Sequence, residues 1–139
     1  MFKNILVAVD GSEHALHAAQ VAGELARSLS ANLVIVTVFD PVPTYLGDTS
    51  MQAYVTEQKI RAEKILAEAL EVVGKEPADL ITESLEGPVA EAVIRAAEVR
   101  STELIVMGTR GLGRLAGAIL GSQSQKVIAN ATCPVLLVK

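Results

Sequence analysis

The sequence predicts an α/β fold: a single domain on an open, mostly parallel five-stranded sheet with helices on both faces. Three observations carry this. Short apolar runs alternate with stretches of helical hydrophobic spacing along the whole chain, giving the order β-α-β-α-β-α-β-α-β. Most of these runs are apolar at nearly every position rather than every second one, as strands covered on both faces must be. No linker, repeat or low-complexity tract divides the 139 residues, a length close to that of one domain with a full core.

The elements follow in order. Ile5 to Val9 is a buried strand ending at Asp10-Gly11-Ser12. Ser12 can cap a helix whose apolar positions Ala15, Ala18, Ala19, Ala22, Leu25, Ala26 and Leu29 keep helical spacing. Leu33 to Val38 is the second buried strand, closed by Phe39-Asp40-Pro41. Pro41, Pro43, Gly47 and Asp48 mark a loop of more than usual length. A helix from about Met51 to Val73 follows, with Ala62, Ile65, Leu66, Ala69, Leu70 and Val73 on one face and Gly74 as its stop. Leu80 to Leu85 alternates more, which places it near a sheet edge. Gly87-Pro88 starts a third helix, with proline at the first helical position. Leu104 to Met107 is a fourth buried strand running straight into Gly108. Ser122 opens the last helix, with Gln125 three residues on as a capping-box partner. Cys133-Pro134 ends it, and Val135 to Val138 is the closing strand.

Composition excludes several functions. There is no Trp, and Phe and Tyr occur twice each, too few for base stacking as a mode of nucleic-acid binding. A net charge of −4 also argues against a general DNA binder. No apolar run approaches the roughly 20 residues needed to cross a bilayer. Met1-Phe2-Lys3-Asn4 leads directly into a strand, so no signal peptide and a cytoplasmic location are expected. The lone Cys133 has no partner for an internal disulfide; it reads as a small buried hydrophobe. His14 and His17 read as surface or packing residues of the first helix.

The most informative stretch runs from Gly108 to Ser124. It holds Gly108, Gly111, Gly113, Gly117 and Gly121, then the hydroxyls of Ser122 and Ser124 as a helix begins. Glycine lets backbone N–H groups approach a ligand, and a helix N-terminus adds unpaired donors and partial positive charge. Together these can cradle phosphate. From Leu104 onward there is no Asp or Glu, yet Arg110, Arg114, Lys126 and Lys139 are present. An acidic chain therefore keeps one acid-free region, and Asp10, Val38 and Gly108 lie at strand ends that converge on one crevice. The segment is not a P-loop, because no Gly-Lys-Ser/Thr closes it, and it is not a dinucleotide fingerprint, because it follows the fourth strand.

Gly108, two residues, Gly111, nine residues, then Gly121-Ser122 resembles the nucleotide-binding signature of the universal stress protein family. Lys3 to Ser12 resembles that family's opening strand and Ala131 to Val138 its closing one, so the likeness covers residues 1–139 as one universal stress protein domain. It implies a Rossmann-like, adenine nucleotide alpha hydrolase-like sheet with strand order 3-2-1-4-5. It also implies a site for ATP, carried with Mg²⁺ or Mn²⁺. Asp10 and the backbone of Val38 would form the nucleoside side; Gly108, Gly111, Gly121 and Ser122 would hold ribose and phosphates, with Ser124 a further phosphate contact. Met107, Gly113 and Gln123 belong to the same site, and Arg110 and Arg114 can add charge-assisted contacts. One departure is Ala8, where some ATP binders carry proline.

Phosphoryl transfer requires a metal held by carboxylate or hydroxyl ligands and a group that orients the attacking oxygen. Only Asp10 and Asp40, from other strand ends, can approach the acid-free segment. The expected function is therefore an ATP-binding stress-response regulator or switch with little or no hydrolysis. A slow ATPase and a nucleotide-free interaction scaffold are the alternatives. The closing strand Val135 to Val138 is apolar and terminal, and the resemblance implies a homodimer in which two such strands meet.

Overall fold

The computed structural model describes residues 1–74, 79–110 and 120–139. Among the described residues five strands and four helices alternate: β1 (Asn4–Ala8), α1 (Glu13–Leu29), β2 (Asn32–Phe39), α2 (Asp48–Val73), β3 (Asp79–Glu86), α3 (Val89–Val99), β4 (Leu104–Gly108), α4 (Ser122–Asn130) and β5 (Val135–Val138). The strands form one sheet in the order β3-β2-β1-β4-β5, with every pairing parallel. β1 lies between β2 and β4, with Leu6 opposite Val34 on one side and Ile105 on the other. The chain winds outward from β1 to one edge, then crosses back to β4. The order thus reverses between β1 and β4, where a crevice opens beyond the strand ends.

The two-residue period of a strand divides the core in two. Ile5, Val7 and Val9, with Leu33, Ile35, Leu104 and Val106, face α1 and α2. Leu6 and Ala8, with Val34, Val36, Ile105 and Met107, face α3 and α4. The inner stripe of α1 is almost all alanine: Ala15, Ala18, Ala19, Ala22 and Ala26 are buried. Small side chains bring the helix close to the sheet and to α2. A Cβ on Gly23 would stand 2.9 Å from the Val73 carbonyl oxygen, and Arg27 Nη1 donates to that same oxygen at 2.7 Å.

Helix starts differ from expectation in three places. α2 begins at Asp48, three residues before Met51, because extended Gly47 caps it and Asp48 places negative charge in its first turn. Pro88 is the cap of α3 rather than its first helical residue, with an extended ψ of 148°. α4 is capped by Gly121, so Ser122 is its first helical residue and no side chain makes a cap hydrogen bond. The expected capping box is absent: Gln125 Nε2 donates instead to the Leu120 carbonyl at 3.1 Å. The expected edge position of β3 is borne out.

Candidate functional site

The crevice at the carboxyl ends of β1, β2 and β4 is a cavity of about 480 Å³, within the range of small-molecule sites. Its lining falls into four walls, with Val89 at the start of α3 beside them.

At the end of β1, Asp10 and Gly11 turn the chain into α1. Asp10 Oδ1 accepts the Ser12 N–H at 2.9 Å, and Ser12 Oγ accepts the Ala15 N–H at 3.3 Å, capping α1 as the sequence predicts. Gly11 has φ +87°, a left-handed conformation that favours glycine. Asp10 therefore shapes the turn while its residue lines the cavity.

At the end of β2, Val38, Phe39 and Asp40 line the second wall. The Val36 carbonyl accepts the Val9 N–H at 2.9 Å. By the period of two, the N–H and C=O of Val38 point to the same side, where β1 has ended. Main-chain groups of Val38 thus face the cavity, in keeping with a base-edge contact.

The third wall joins Met107, Gly108 and Arg110 to Gly121, Ser122, Gln123 and Ser124. The Gly121 N–H donates to the Thr109 carbonyl at 2.6 Å, and the first helical bond runs from Gln125 N–H to Gly121 O. The N–H groups of Ser122, Gln123 and Ser124 consequently have no acceptor among the described residues. They are oriented donors at a positive helix end. Because Gly121 rather than Ser122 is the cap, the Ser122 hydroxyl is not consumed in capping. Ser124, 4% exposed, donates its hydroxyl to the Gly108 carbonyl at 2.9 Å, which leaves its oxygen only as an acceptor. Gln123 Oε1 accepts the Ala90 N–H at 3.3 Å and ties α4 to the start of α3. Arg110 Nε is buried and has no hydrogen-bond partner among the described residues. No carboxylate lies on this described wall.

The fourth wall was not anticipated. Gln58, Arg61, Ala62 and Ile65 of α2 line the cavity, and Ile65 Cγ1 sits 3.4 Å from where a Gly11 Cβ would be. Their spacing of three and four residues makes one stripe on the helix, of which the sequence reading placed Ala62 and Ile65 on the core face and did not single out Gln58 or Arg61. Gly111, Gly113 and Arg114 lie outside the described residues. Asp10, Val38, Met107, Gly108, Arg110, Gly121, Ser122, Gln123 and Ser124 are brought together around one space.

The chemistry of this space is that of a container for an amphiphilic anion. Aliphatic and thioether groups of Val9, Val38, Ile65, Val89 and Met107 can take a flat apolar ring. The α4 donors and Arg110 can take negative charge. No histidine or cysteine lines the cavity among the described residues. Nor do the described residues contain a group of three or more His, Cys, Asp or Glu able to hold a metal ion.

Comparison with known proteins agrees with this geometry. The model of the universal stress protein family matches residues 1–139. The "universal stress protein in QAH/OAS sulfhydrylase 3′ region" of Thermus aquaticus is 48% identical over 139 residues, covering all of both chains. The universal stress protein UspA from Lactobacillus plantarum superposes with a TM-score of 0.88 at 25% identity, over 99% of this chain and 98% of its own. The universal stress protein from Archaeoglobus fulgidus in complex with dAMP superposes with a TM-score of 0.75 at 25% identity over the whole of both chains. With its sheet order, its crevice and its full-length family match, the chain belongs to the universal stress protein family.

Proposed function

We propose that this protein binds an adenine nucleotide, ATP in particular, in the crevice at the β1, β2 and β4 ends, and acts in the cytoplasm as a nucleotide-dependent stress-response regulator. One observation carries the reading. Three N–H groups at the start of α4 and the buried Arg110 Nε, all without a partner among the described residues, border a cavity whose opposite side is largely apolar. A buried polar atom without a partner costs about 1–3 kcal/mol, a cost that phosphate oxygens would relieve. The dAMP complex of the Archaeoglobus fulgidus relative supports an adenine nucleotide as the ligand class.

Mg²⁺ or Mn²⁺ would arrive on the phosphates rather than on a set of protein ligands, and would neutralise phosphate charge there. Asp10 and Asp40 are the carboxylates among the described lining residues, and Asp10 is already engaged with the Ser12 N–H. That arrangement favours holding the nucleotide over hydrolysing it. β5 is the end strand of the sheet and pairs on one side with β4. Its half-buried Val135, Leu136 and Leu137 make it the edge for a homodimer.

The test is direct. Protein denatured as purified is assayed for released nucleotide, and fresh protein is titrated with ATP, with and without Mg²⁺, while released phosphate is followed. Binding with negligible phosphate release is expected. Sustained release faster than about 1 per second, inside the usual enzyme range, would make the protein an ATPase. No binding and no thermal shift at millimolar ATP would leave a nucleotide-free scaffold. Gly121→Val should abolish binding while keeping the fold. Gly121 has φ −66° and ψ 153°, a conformation any residue adopts, so the added side chain acts by filling the cavity wall.

A further inference from the structure

We infer that His14, which does not line the cavity, is a positioning residue of the nucleotide site, acting from α1 through Thr109. This rests on the nucleotide reading above. Thr109 stands between Gly108 and Arg110 and is 7% exposed. Each of its polar groups goes to a different element. Its N–H donates to the Val138 carbonyl of β5 at 2.9 Å, and its own carbonyl accepts the Gly121 N–H at 2.6 Å. Its hydroxyl bonds His14 Nδ1 at 2.9 Å. Thr109 is therefore the joint from which Arg110 departs and to which the start of α4 returns.

The imidazole is the partner of that hydroxyl among the described residues. Its approach is allowed by Gly108, where a Cβ would stand 2.8 Å from the His14 carbonyl carbon and 2.9 Å from its Cβ. Without the imidazole a nearly buried hydroxyl loses its partner, and the relief available is to move Thr109 toward water. That movement carries Arg110 and Gly121 with it, and so displaces the donors of Ser122, Gln123 and Ser124. The nucleoside half, built by Asp10, Val38 and α2, does not hang from this joint. His14 thus governs the hold on phosphate and not the hold on base and ribose.

The test is calorimetric titration of ATP and of adenosine into the wild-type protein and into His14→Ala, His14→Asn, Thr109→Val, Thr109→Ser and the His14→Ala/Thr109→Val double variant. Loss of one such hydrogen bond should raise the Kd for ATP about tenfold in His14→Ala and in Thr109→Val. The double variant should be no weaker than either single one, since the two side chains act as one unit. His14→Asn and Thr109→Ser, which keep polar partners at the same places, should recover most of the affinity, and the adenosine Kd should change less than about twofold. Equal losses for ATP and adenosine, additive effects in the double variant, or unchanged ATP binding in His14→Ala would overturn the inference while leaving the nucleotide site standing. A wild-type protein that binds neither ligand would overturn both. Thr109→Ser and His14→Asn, the mildest changes, keep the comparison available if a harsher variant fails to fold.

Discussion

Gly108→Ala should destabilise the protein even when no nucleotide is present. The new methyl group would meet the His14 carbonyl carbon at 2.8 Å, the His14 Cβ at 2.9 Å and the Ala15 nitrogen at 3.0 Å. None of these can rotate away, since two are main-chain atoms and the third is fixed to the main chain. Either the first turn of α1 or the end of β4 must shift, and both are anchored: β4 by its ladders to β1 and β5, α1 by its cap and buried alanine stripe. Overpacking of this kind costs about 2 kcal/mol. In a domain of this size that lowers the melting temperature by about 4–8 °C. With a urea slope of roughly 2 kcal/mol per molar, the unfolding midpoint falls by about 1 M. The assay is urea unfolding of nucleotide-free protein followed by circular dichroism. A midpoint equal to that of the wild type, together with loss of ATP binding, would refute the packing account and assign Gly108 to the ligand alone.

Three further outcomes follow from neighbouring contacts. Ser124→Ala removes the hydroxyl that donates to the Gly108 carbonyl inside the core; it should cost about 1–2 kcal/mol in urea unfolding without nucleotide, and a change below about 0.3 would show the bond to be idle. Arg100→Ala breaks the contact of Nη2 with Glu83 Oε2 at 2.6 Å that ties the end of α3 to β3. With both side chains about a third exposed, the loss should stay below about 1 kcal/mol and shrink in molar salt; a larger, salt-insensitive loss would contradict a surface pair. Burial pushes the Cys133 thiol above its ordinary range, against weaker pulls from the Ile105 and Cys133 main-chain hydrogen bonds. A raised folded value means that the thiol's contribution is complete below the unfolded pKa of about 8.5 and is lost as pH rises through the folded one. Urea midpoints from about pH 8 to 10 should therefore fall further for the wild type than for Cys133→Ala; parallel declines would count against a desolvated thiol.

The sheet was legible because its evidence is local. Buried runs such as Ile5 to Val9 carry their own period, and Ser12 announces α1 through a side chain that does cap it. The start of α4 was misread for an equally local reason: Ser122 with Gln125 three residues on looks like a capping box, but glycine is also a good cap. What decides between them is the bond from Gly121 to Thr109, which depends on where β4 ends in space. Of the site, the strand-end residues and the acid-free wall could be read from residue type and order. The α2 wall could not, because nothing in Gln58 or Arg61 says which side of the sheet their helix will cover. The contact of His14 with Thr109 spans 95 residues and leaves no trace in either neighbourhood. Gly108 was read as room for a ligand; the structure adds a neighbouring helix that requires the same absence of a side chain.

The bond between Thr109 and Gly121 has an architectural consequence. The chain leaves β4 and re-enters the fold at α4 through a single doorway 2.6 Å wide, from donor nitrogen to acceptor oxygen. The residues on either side of positions 111–119 are thereby joined directly to each other. Substitutions or insertions at positions 111–119 are therefore expected to leave β4 in register with β1 and β5, because the bond that brings the start of α4 back to the end of β4 lies outside those positions.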